Sequence, residues 1–110
     1  MQPRGTADRL QVLLERVVAC LGPEEVWLFG SRAHGTARPD SDFDLLAVLP
    51  DGTPESDLDP IRAWMMIRDL RIPADVVPCT RAEFEEEKNE IDSLAREAFL
   101  RGRRVYERPA

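Results

Sequence analysis

The apolar positions along the chain fall into short runs with different periods, and the periods predict the elements. Leu10, Leu13, Leu14, Val17, Val18 and Leu21 recur at helical spacing and form a single stripe. Thr6 is placed to cap this first helix, and Gly22-Pro23 ends it, because glycine reaches left-handed backbone and proline cannot continue a helix. Val26-Trp27-Leu28-Phe29 is too short for a helix and reads as a buried strand that stops at Gly30. Residues 43–49 read as a second strand, closed by the turn residues Pro50-Asp51-Gly52. From Leu45 to Leu49 this strand has no polar position, so both of its faces are expected to be buried.

Residues 58–70 are rich in helix formers and read as a helix that admits Pro60 only in its first turn. Residues 73–77 read as a third strand. Thr80-Arg81-Ala82-Glu83 has the form of a capping box, which opens another helix. Ile91, Leu94, Ala95, Ala98 and Phe99 recur at helical spacing as far as Gly102, and Val105-Tyr106 suggests a last edge strand. The expected architecture is α/β or α+β, a small mixed β-sheet with helices packed on it, in one domain spanning residues 1–110.

Composition narrows the partners. The 110 residues carry a net charge of −6, the opposite of what a surface wrapping a nucleic-acid polymer needs, so no direct binding of such a polymer is expected. No apolar run is long enough to cross a bilayer, and the N-terminus lacks the pattern of a secretory signal, which predicts a cytoplasmic protein with no membrane role. Cys20 and Cys79 lie far apart in apolar segments and fit buried free thiols. Lys88 is the sole lysine, so cationic contacts to phosphate would fall to arginine.

The chemistry is concentrated between Leu28 and Leu46. Alternate residues of a strand share a face, so Asp42 and Asp44 stand roughly 6.5–7 Å apart and can converge on one or two divalent cations. Asp75 enters the third strand in the same way, and if the two strands are neighbours three hard oxygen ligands meet at one end of the sheet, a set suited to Mg²⁺. Gly30 lets the backbone approach a ligand closely. Ser31 opens a short helix, ended by Gly35, whose free N–H groups favour phosphate, and Arg32 can add a charge-assisted contact.

Gly30-Ser31 followed by Asp42-x-Asp44, with Asp75 in a later apolar strand, resembles the signature of the polymerase-beta-like nucleotidyltransferases. More narrowly, Gly30-Ser-Arg-Ala-x-Gly, Ser41-Asp-x-Asp-Leu and Arg96-Glu-Ala-x-x-x-Gly102 ending near Tyr106 are similar to the bacterial minimal nucleotidyltransferases of the MNT type. The likeness runs over nearly the whole chain and departs from the pattern at His34, where many relatives have arginine. It implies that two Mg²⁺ ions and ATP are held by Asp42, Asp44 and Asp75, with Gly30, Ser31, Arg32 and Ser41 at the nucleotide. AMP would pass to a hydroxyl acceptor as pyrophosphate leaves. The acceptor implied is a tyrosine of a HEPN-type toxin, with this chain as the antitoxin.

Blander roles compete. Strand-end aspartates also cap turns, His34 fits an incidental polar position, the 83–90 acidic run fits a solvated helix face, and Trp64-Met65-Met66-Ile67 fits core or a subunit contact. Two other functions share the motif: nucleotidyl transfer to a small molecule such as an aminoglycoside, which acidity would suit, and a non-catalytic module that occludes its partner. Larger relatives carry a further helical domain for which these 110 residues leave no room, so a second subunit or partner is expected to complete the site.

Overall fold

The computed structural model describes residues 5–38 and 40–110. Helix α1 (Thr6–Leu21) leads to strand β1 (Glu25–Phe29), the short helix α2 (Ser31–His34) and strand β2 (Phe43–Leu49). Helix α3 (Pro60–Ile67), strand β3 (Ala74–Thr80), helices α4 (Arg81–Glu87) and α5 (Leu94–Arg101) and strand β4 (Arg103–Glu107) complete the chain. The sheet order is β3-β2-β1-β4, with β2 and β3 parallel and the other neighbours antiparallel, so the sheet is mixed as expected.

β2 lies between two strands, and its alternating side chains feed two cores. Phe43, Leu45, Ala47 and Leu49 pack with Leu13, Leu14 and Val17 of α1 and with Ala63 and Ile67 of α3. Leu46 and Val48 pack on the other face with Phe84 of α4 and Ala95 and Ala98 of α5. The uninterrupted apolar run is therefore explained by helices on both faces.

Several boundaries differ from the sequence reading, each for a local reason. Gly5, not Thr6, is the N-cap of α1; its carbonyl accepts from the Arg9 N–H, so Thr6 is already helical and caps nothing. The 58–70 helix is shorter at both ends. Asp59 is held extended before Pro60 and its side chain accepts from the Ile61 N–H, so the helix cannot reach back through it. A 3₁₀ turn over Arg68–Leu70 follows Ile67 and ends at Arg71, whose φ is 56°.

β3 runs to Thr80, beyond the expected end at Val77, even though it contains Pro78. The Phe43 N–H bonds the Pro73 carbonyl, and strand alternation then turns the Pro78 nitrogen to the open edge, where no donor is needed. Ile91 lies outside α5, which begins after its Ser93 cap, and is 82% exposed. Cys20 is exposed, contrary to expectation, because it falls off the apolar stripe of α1. Cys79 is buried as expected, and its thiol is pushed up to about 12 by burial and by Glu83 and Glu87. The Thr80/Glu83 capping box is present in full.

Gly102 joins α5 to β4 at a point where there is no room for a side chain. A Cβ there would stand 2.5 Å from the carbonyl oxygens of both Ala98 and Leu28. Because both neighbours are backbone, Gly102→Ala is expected to destabilise the fold by on the order of 2–3 kcal/mol. Thr80→Ala, which removes one cap, should cost about 1 kcal/mol. Urea unfolding of the two variants beside the parent checks both the sizes and their order.

Candidate active site

Strand pairing brings the predicted carboxylates together. Asp44 stands opposite Phe29 of β1 on one side and directly beside Asp75 of β3 on the other. Phe43 and Leu45 face α1 and α3, so Asp44 shares the opposite face with Leu46 and Val48. In β3, Ala74 and Val76 face α1 and α3 while Val77 and Cys79 face the other way, which puts Asp75 on the same face as Asp44. Asp42 lies one residue before β2 and is exposed, Asp44 is partly buried, and Asp75 is exposed on the edge strand.

The three acids sense one another. Partial burial raises the pKa of the Asp44 carboxyl, and the charges of Asp75 and then Asp42 raise it further. Among the described residues no ion pair neutralises any of the three. Nor, among those residues, do three His, Cys, Asp or Glu side chains stand close enough together to enclose an ion in their present rotamers. Like charges without a cation repel, and convergence of these side chains would need one. As a donor set, three carboxylates on one sheet face fit a hard divalent cation.

Gly30 forms the wall opposite Asp75. It has φ 75° and ψ −157°, a conformation for glycine, and a Cβ added to it would collide with Asp44 Oδ2. The close approach of carboxylate to backbone therefore explains why glycine ends β1. Ser31 then begins α2, and Gly35, with φ 74°, ends it through an N–H bond to the Ser31 carbonyl. This is the short helix expected from the sequence.

Arg32 and Ser41, expected at the nucleotide, are engaged with each other. The Arg32 guanidinium donates from Nε and Nη2 to the Ser41 carbonyl at 3.2 and 2.7 Å and lies 4.3 Å from the Phe43 ring centroid. The Ser41 hydroxyl accepts from the Arg38 N–H at 2.8 Å and shapes the turn before Asp42. His34 reaches Glu97 of α5 at 3.4 Å. Phe43 is a participant that periodicity assigns to the core alone. Its ring has guanidinium groups of Arg32 and Arg9 at 4.3 and 5.6 Å, and nothing in the local pattern announces them.

Residues 10–105 match the family model described as "Nucleotidyltransferase domain". The chain belongs to that family. Among solved structures, a Sulfolobus solfataricus protein with a provisional nucleotidyltransferase name has a TM-score of 0.59 at 22% identity, covering 92% of this chain and 79% of its own. A chain of a mutant of the toxin–antitoxin pair MntA–HpeT has a TM-score of 0.56 at 15% identity, covering 94% of this chain and 75% of its own. A toxin–antitoxin structure with AMP-PNP has a TM-score of 0.51 at 15% identity, with the same coverage. These likenesses carry the fold. No curated protein is matched. Among the described residues, no helix is long and apolar enough to cross a membrane.

Because the raised Asp44 pKa lies above its unfolded value, the metal-free fold loses stability as pH rises through the interval that begins at the ordinary 3.8. Asp44→Asn is therefore expected to melt higher than the parent at neutral pH in chelator. The gap should close as the pH falls below the ordinary carboxyl range, and thermal melts across pH read it directly. Magnesium should raise the melting temperature of the parent and leave Asp44→Asn nearly unmoved.

Proposed function

We propose that this nucleotidyltransferase domain transfers AMP from ATP, with Mg²⁺, to a tyrosine hydroxyl of a HEPN-type toxin and thereby serves as its antitoxin. The observation that carries the reading is Asp44 held between Gly30 and Asp75 at the open end of the sheet. What Mg²⁺ supplies when bound is neutralisation between carboxylate and triphosphate and a lowered pKa for the acceptor hydroxyl. Asp42 and Asp44 offer oxygens for two ions. Asp75 completes the set beside the acceptor and supplies the site for the departing proton. Gly30 gives the triphosphate room to approach, and Ser31 offers its hydroxyl and N–H to the outgoing phosphates.

In the transfer, the acceptor oxygen bonds to the α-phosphorus, the bond from that phosphorus to the bridging oxygen breaks, and pyrophosphate leaves. The residues act by positioning and charge, as phosphoryl-transfer sites do. Support for a toxin as partner comes from the motif resemblance and from the fold shared with the MntA–HpeT chain. Free Cys20 and Cys79 fit a reducing compartment such as the cytoplasm.

The test is labelled ATP with magnesium and a HEPN-type protein produced together with this chain. Label from the α-phosphate should appear on a partner tyrosine, and Asp42→Asn/Asp44→Asn should cut the rate by at least about a hundredfold. Label on a small aminoglycoside-like acceptor instead would move the assignment to drug modification, which the net charge of −6 also suits. Neutralisation of the toxin by the double variant at full strength would make the chain an occluding module.

A further inference from the structure

The three carboxylates are not held alike. Asp44 and Asp75 sit inside paired strands, where the backbone ladder sets their positions. Asp42 sits outside the strand on a loop that begins after α2. Yet the residues on either side of Asp42 are both gripped by one side chain. Arg32 bonds the carbonyl of Ser41 twice, at 3.2 and 2.7 Å, and its guanidinium carbon is 4.3 Å from the centroid of the Phe43 ring. The Phe43 ring is buried, and Arg9 of α1 lies 5.6 Å from its centroid, so the platform beneath Arg32 is itself fixed.

We infer that Arg32 is a positioning residue that fixes Asp42, and not a phosphate ligand. Its geometry suits the task. A planar fork can place two N–H groups on one carbonyl while its plane lies against an aromatic ring, and lysine can do neither as well. The inference rests on the metal role proposed for Asp42, but the bracket itself is a matter of loop geometry. Arg32 follows Gly30 by two residues and Ser31 by one, so the bracket also ties the backbone proposed for phosphate to the carboxylate proposed for metal. The two halves of the site then move as one body.

Two measurements on Arg32→Gln and Arg32→Lys test this, neither depending on turnover. Hydrogen exchange of the segment around residues 40–42 should quicken several-fold in Arg32→Gln while core amides are unchanged, with Arg32→Lys in between. Mn²⁺ titration by electron paramagnetic resonance, without nucleotide, should show affinity about tenfold weaker in Arg32→Gln, the size expected when a residue supporting a metal ligand is lost. Unchanged exchange in the loop would overturn the inference. So would a loss of affinity seen only when ATP is present, since that marks a direct phosphate contact. Quickened exchange in a protein whose parent binds no Mn²⁺ would uphold the bracket and sink the metal reading of the site instead.

Discussion

Asp44 and Asp75 are neighbours in a parallel strand pair and cannot separate unless the sheet opens. Opposed residues on adjacent strands keep their Cβ atoms about 5 Å apart, and two charges at that separation repel by at most about 3 kcal/mol near a protein surface. Exposure of Asp75 screens this further. Against it stands β2, in which five successive apolar residues after Asp44 are buried. Each of the leucine and valine side chains among them contributes about 1.5–3 kcal/mol, so the apolar part of the strand fixes the register and the acids must accept it. The pKa of Asp44 is raised first by partial burial and then by the charge of Asp75, and the second part is the trace of that conflict. Among the described residues no cation pairs with these acids, and a site in that state gains from binding one.

The rest of the fold keeps that end of the sheet open while closing the remainder. α4 and α5 cover Leu46 and Val48, deeper along β2 than Asp44. α5 is drawn tightly onto β1 and β4 because Gly102 lets the Ala98 and Leu28 carbonyls approach the same Cα. On the far side of Asp44, Gly30 removes the side chain that would otherwise fill the space beside the carboxylate. Two glycines thus do opposite jobs. One permits close packing of protein on protein, and the other leaves backbone bare beside the acids.

What could be read from the sequence was whatever depends on neighbours a few residues away. The α1 stripe, the β2 run and the Thr80/Glu83 box are patterns within one element, and the structure has each of them. Local chemistry also carried information that composition hid. Cys20 sits in an apolar segment but off its helical stripe, and period, not segment, decides its exposure. β3 runs past its expected end at Val77 and through Pro78, because the edge position that tolerates the proline is a fact of sheet order, which a sequence does not display. The pairing of Asp44 with Asp75 is of the same kind. Their alternation within strands was legible, whereas the parallel register that joins them spans more than thirty residues of chain.

Arg32, which the motif places at the nucleotide, is also engaged within its own fold. A guanidinium two residues after a phosphate-favouring glycine invites a ligand role, yet its Nε and Nη2 bond the Ser41 carbonyl and it lies over the Phe43 ring. The difference follows from how each acid is anchored. A residue inside a paired strand needs no side chain to hold it, because ladder hydrogen bonds on both sides fix its backbone. A residue before the strand has no such ladder, and its position has to come from contacts made by other side chains. Asp42 is in the second situation and Asp44 in the first. A three-carboxylate site built across a strand entrance therefore requires a brace as much as it requires ligands, and the arginine nearest the motif is the one positioned to serve.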